Sequence, residues 1–182
     1  MAGPVTLTTP VGGTVISSST FGIPAATNLG IALNRPWVRA YQGSAVTTLT
    51  TGTFTSIGFD TEDSGSPDPY GIHSTTTNTS RFTVPTGWAG VWRFIGRVAF
   101  ATNGSGVRVA SFAVNGSSVE GSGTTQTPTG SSTCAVTTLD EYALAVGSYV
   151  ELKGYQASGG SLSTTVSPPL TSLMIARWIG ST

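Results

Sequence analysis

Residues 80–101 read SRFTVPTGWAGVWRFIGRVAFA, and the pattern inside this stretch decides the fold class. Arg81-Phe82-Thr83-Val84 alternates, then breaks at Pro85-Thr86-Gly87, where proline fixes φ and glycine permits a turn. From Val91 to Ala101, Trp92, Phe94, Val98 and Phe100 share one parity, while Val91, Arg93, Ile95, Arg97 and Ala99 share the other, with Gly96 interrupting. A period of two in β-branched and aromatic residues reads as a strand. A helix would not gather Trp92, Phe94, Val98 and Phe100 on one face. Both parities carry bulk, so the strand is expected to be central and covered on two sides.

Composition points the same way across the chain. The 182 residues suffice for one domain plus an extension with a sizeable core. Charged residues are 9%, and eight basic residues balance eight acidic ones. A formal net charge of zero provides no long-range attraction to nucleic acid or an anionic membrane, so neither is expected as a partner. Serine, threonine and 24 glycines dominate over helix formers, which predicts strands and turns. No apolar run approaches the roughly 18 residues that span a bilayer. No charged region followed by an apolar one marks a secretory leader, so the expectation is synthesis in a cytoplasm.

Residues 1–36 differ in pattern from the rest of the chain. Val5, Leu7, Val11, Val15 and Ile16 are spaced among threonine and serine, but Pro4, Pro10 and Gly12-Gly13 cut the segment into pieces too short for a stable hairpin. Thr20 to Asn34 carries a helical hint through Ile23, Ala26, Gly30, Ile31 and Leu33, stopped by Pro36. The expectation is an arm that orders against another subunit or partner. From Trp37 onward, short strands alternate with turn clusters. Strands are expected at 37–42, 54–59, 107–114, 134–144, 149–156 and 170–179, with loops at 60–70, 121–133 and 157–169. Asn115-Gly116 is the strongest hairpin signal. About eight to ten strands without intervening helices predict an all-β sandwich or barrel, and periodicity alone does not separate an immunoglobulin-like sandwich from a jelly roll.

A resemblance separates them. Phe82-Thr83-Val84-Pro85 followed by Gly90-Val91-Trp92-Arg93-Phe94 resembles the core motif of the C1q/TNF-like jelly-roll family. Val109 to Val114 with Asn115-Gly116, Leu144 to Leu152, and Leu173 to Ile179 resemble later strands of that family, with Ser148 standing where the family usually has aspartate. Phe59-Asp60-Thr61-Glu62-Asp63, Gly71-Ile72-His73-Ser74 and Asn78-Thr79-Ser80-Arg81 look like C1q-like virion proteins of tailed bacteriophages, usually labelled minor tail proteins. The resemblance implies an anchoring arm at 1–36, a jelly-roll sandwich of two antiparallel sheets at 37–182, a homotrimer, and a place in the virion after synthesis in a host cytoplasm. The alternatives are a capsid decoration or head-fibre protein and, further off, an enzyme acting on polysaccharide.

Chemical constellations are sparse. His73 is the single histidine, read as structural or solvent-exposed, and the single Cys134 is read as a small buried hydrophobe. No cofactor is expected. Asp60, Glu62, Asp63 and Asp68 are oxygen donors of the kind Ca²⁺ takes, but their spacing is not that of an EF-hand and turn-stabilising aspartates account for them. Arg93, Arg97 and Arg108 lie on strands that otherwise read as buried, which suits either rim positions or a subunit face. Trp92, Phe94, Tyr149 and Tyr155 are the candidates for the trimer interface. Tyr70, Asp63, Asp68 and Gln126 are the candidates for contact with a host-surface glycan. Val15, Ile16, Ile23, Ile31 and Leu33 are the candidates for holding the arm to other virion proteins.

Overall fold

A computed structural model describes residues 35–66, 68–130 and 133–182; the expected helix and the anchoring residues of the arm lie outside them. Fifteen strands and no helix occur among the described residues. In chain order they are β1 (Trp37–Tyr41), β2 (Thr48–Leu49), β3 (Thr55–Ser56), β4 (Thr61–Glu62) and β5 (Arg81–Thr83). Then come β6 (Gly90–Phe100), β7 (Arg108–Val114), β8 (Ser117–Ser118), β9 (Thr124–Gln126) and β10 (Cys134–Leu144). The last are β11 (Tyr149–Gln156), β12 (Leu162–Ser163), β13 (Val166–Ser167), β14 (Leu170–Thr171) and β15 (Leu173–Gly180).

Every strand pairing among the described residues is antiparallel. One five-stranded sheet runs β10-β6-β15-β1-β4, so the 80–101 stretch does supply a central strand. The facing sheet is built on β11 and β7, with β3 and β5 along the free side of β11 and β8 and β9 along the free side of β7. Asn115 and Gly116 take left-handed φ values of 50° and 83°, the two-residue turn whose twist suits the β7–β8 hairpin. The sheet begins just before β1, where the Trp178 N–H donates to the Pro36 carbonyl at 3.0 Å.

Alternation sets the inside. On β6 the even-numbered side chains Trp92, Phe94, Val98 and Phe100 are 1% exposed or less, and they meet Phe112 and Leu152 of the facing sheet in one core. Gly96 falls on the same parity. A Cβ there would collide with Leu152 and come within 3.1 Å of Phe112, so the interruption in the pattern makes room for two side chains of the facing sheet. The odd-numbered residues Val91, Arg93, Ile95 and Arg97 are half-buried or exposed. The expectation that β6 is covered on both faces therefore fails within one subunit.

Three expected loops carry strand pairing. Thr124–Gln126, in the 121–133 stretch, pairs with Arg108–Ala110 because the open edge of β7 needs only backbone partners. The 60–70 stretch contains β4, and the 157–169 stretch contains β12 and β13. Conversely, the expected strand at 54–59 pairs as a strand only at Thr55–Ser56.

Candidate functional site

The outer face of the five-stranded sheet is set by register. Trp37 lies across from Arg177, Arg177 from Arg93, and Arg93 from Glu141, forming one row over four strands. The next row is Arg39, Ile175, Ile95 and Leu139, and the third is Tyr41, Leu173, Arg97 and Thr137. Because side chains two apart share a face, these odd-numbered residues all point away from the core. Trp37, Arg93, Ile95, Ile175 and Arg177 line a hollow of about 320 Å³ there. Arg93 Nε donates to Glu141 at 2.7 Å, and Arg97 donates to the carbonyls of Thr171 and Pro169 at 3.1 Å. The Arg177 side chain makes no hydrogen bond or ion pair among the described residues. Leu139 is 58% exposed.

The trimer-interface candidates read from the sequence lie elsewhere. Trp92 and Phe94 are 1% exposed and belong to the subunit's own core, so they are not available to a partner chain. The same strand alternation that inserts them into the core turns Arg93 and Ile95 outward. Tyr149 and Tyr155 are half-buried on the opposite sheet, Tyr149 beneath the Arg81 guanidinium at 4.1 Å and Tyr155 against Phe54 at 5.0 Å. Arg93 and Arg97 do reach the outer face. Arg108 does not: it is fully buried over the Phe100 ring and donates to the carbonyls of Ser105, Val107 and Asn103. Burial lowers its pKa below the ordinary arginine value, partly opposed by Cys134 nearby. Cys134 is a free, buried thiol, as expected, and burial pushes its pKa up.

A second constellation gathers around His73, whose side chain is fully buried. Its Nδ1 lies 2.9 Å from Glu62 Oε1 and its Nε2 lies 3.0 Å from the Thr79 carbonyl. The ring packs on Phe82 with centroids 4.8 Å apart, and Phe59 donates its N–H to the same Thr79 carbonyl. The histidine is thus a structural junction, and the segments 59–63, 71–74 and 78–81 converge on it.

The remaining acidic candidates each serve a separate local contact. Asp60 accepts from the N–H groups of Gly43, Ser44 and Ala45 and from the Ser44 hydroxyl. Burial raises its pKa, but these donors outweigh it and hold the carboxyl well below the ordinary range. Asp63 pairs with Arg39 at 2.7 Å and Asp68 accepts the His73 N–H at 2.8 Å. Among the described residues, no three His, Cys, Asp or Glu side chains are grouped to hold a metal ion. Of the glycan candidates, Tyr70 is half-buried edge-on against Trp88 at 5.3 Å, so its ring is not an open platform. Gln126 is exposed on β9, which neighbours β10, whereas Asp63 and Asp68 follow β4 at the other edge of the five-stranded sheet. The four do not form one site.

The paired sheets, their strand order and the hairpin at Asn115-Gly116 define a jelly-roll sandwich of the C1q/TNF type. No family model matches the chain, and no curated protein matches it by sequence. Among solved structures, the globular domain of zebrafish complement 1qA protein superposes with a TM-score of 0.56 at 11% identity, covering 81% of this chain and all of that one. Eiger TNF from S. frugiperda gives 0.55 at 13% identity, covering 81% and 96%. Murine APRIL gives 0.51 at 13% identity, covering 79% and 99%.

Proposed function

We propose that the chain is a non-enzymatic structural protein whose jelly-roll head assembles as a homotrimer. The observation that carries this is the outer face of the five-stranded sheet. Leu139, Ile95 and Ile175 form an apolar row, flanked on one side by Arg93 and Arg177 and on the other by Arg97. Isolated exposed leucines are ordinary, but a contiguous apolar row rimmed by arginine and aromatic residues suits protein association. The trimer is the assembly implied by the resemblance of the sequence motifs, and the C1q/TNF-type fold supports it. Velocity sedimentation of the full chain at micromolar concentration is expected to give three chain masses; a stable monomer overturns the reading.

The virion location, in the tail of a phage, rests on the resemblance of the 59–63, 71–74 and 78–81 segments to minor tail proteins. Their convergence on His73 is consistent with that motif being one structural unit. In this reading residues 1–36 anchor the head to other virion proteins, and the polar loops meet host-surface carbohydrate weakly and multivalently. Imaging of particles with a labelled antibody tests the location.

A further inference from the structure

We infer that the hollow beside Arg81 and Tyr149 binds a carboxylate-bearing sugar unit. It is a new site, distinct from the polar loops above, and its test does not depend on the trimer.

The argument starts from the cations. Of the eight lysine and arginine residues, all lie among the described residues, and six donate side-chain hydrogen bonds to protein oxygens. Arg177 and Arg81 do not. Arg177 belongs to the outer face of the five-stranded sheet. Arg81 is on the other sheet, in register across from Glu151, the partner that strand geometry offers it. Glu151 is instead held by the Ser80 hydroxyl at 2.7 Å and by Lys153 at 3.2 Å. The Arg81 guanidinium leans diagonally over the Tyr149 ring at 4.1 Å. Stacking restrains the planar fork while leaving its N–H donors without a protein acceptor, an arrangement suited to receiving a carboxylate through two parallel hydrogen bonds.

The lining decides the rest of the ligand. Arg81 and Tyr149 border a hollow of about 250 Å³ shared with Ser74, Thr77, Asn78 and Thr83. That is below the usual size of pockets for drug-sized molecules and suits a single monosaccharide-sized group. Thr77, Asn78 and Thr83 present hydroxyl and amide groups that make no hydrogen bonds of their own among the described residues, and these match sugar hydroxyls. One free guanidinium matches one negative charge. A phosphate would call for further cationic support, and His73 on the same wall is already engaged with Glu62.

The test is a titration of the ¹⁵N-labelled full chain, following the Arg81 Nε–H resonance and the heat of binding. The probes are methyl glucuronoside, methyl glucoside, acetate and inorganic phosphate, used separately. Saturable binding of the glucuronoside is expected, with the glucoside and acetate each about tenfold weaker or more, since each lacks one half of the recognition. Arg81→Gln should abolish the binding at an unchanged melting temperature, and Arg81→Lys should keep the charge but weaken binding through loss of the fork. The inference is overturned if the glucuronoside does not saturate, if Arg81→Gln binds it as well as the parent chain, or if glucoside, acetate or phosphate binds equally well.

Discussion

Leu139 lies directly across from Ile95 in the β10–β6 pairing, and at 58% it is the most exposed large hydrophobic side chain among the described residues. Ile175 continues the row on the other side of Ile95. The central strand of the domain therefore carries apolar bulk on two faces, one packed into the subunit's own core and one turned outward.

That division predicts opposite outcomes for neighbouring substitutions. Leu139→Asp should leave a folded monomer and abolish the trimer, because the new charge meets water in the monomer and an apolar partner in the assembly. Trp92→Asp should prevent folding, since an unpaired carboxylate buried in the core costs several kcal/mol. Sedimentation together with near-ultraviolet circular dichroism separates the two, and intact Leu139→Asp trimers would refute the assignment of the face.

Asp60 makes a prediction about acid. Its folded-state pKa lies below the ordinary 3.8, so its contribution to stability is present above that pH and is lost as the pH falls below it. Asp60→Asn should flatten this part of the stability profile. The effect should be modest, because the group is only half-buried and water screens it. Urea unfolding of both chains through the acid range checks the sign; a variant that loses stability faster than the parent on acidification would contradict it.

His73→Leu tests the junction. Leucine keeps much of the packing against Phe59 and Phe82 but leaves Glu62 and the Thr79 carbonyl without their ring partners. A loss of about 1–3 kcal/mol is expected in equilibrium unfolding. A change near zero would mean that solvent replaces both contacts freely.

Removal of residues 1–34 tests the arm. The remaining chain retains every strand described in both sheets, so soluble trimers are expected. Those trimers should fail to join particles when the truncated protein replaces the full one. Normal incorporation, measured by gel analysis of purified virions, would dismiss the anchoring role.

How much of this was legible in the sequence depends on what is local. Alternation is local, so Trp92, Phe94, Val98 and Phe100 could be put on one face of a strand before any partner was known. The Asn115-Gly116 turn was readable for the same reason, since two left-handed residues in succession favour that dipeptide. The all-β class came from these patterns, and the jelly roll from the resemblance of the motifs to the C1q/TNF-like family.

Which face of a strand meets the core is not local. Both parities of β6 carry large side chains, and only the position of β7 and β11 across the sandwich puts Trp92 inside and Ile95 outside. Gly96 reads as an interruption until Leu152 and Phe112 are found where its side chain would be. β9 is exposed at all three residues and shows no inside–outside alternation, so its pairing with the open edge of β7 is not marked in its own sequence. The freedom of Arg81 depends on Ser80 and Lys153 having taken the carboxylate across from it. Strand formation and turns were determined by neighbours along the chain. Burial, pairing and the availability of a charge were decided by residues far apart in sequence, as Ser80 and Glu151 are at 71 positions, through contacts that exist only after the sheets have packed.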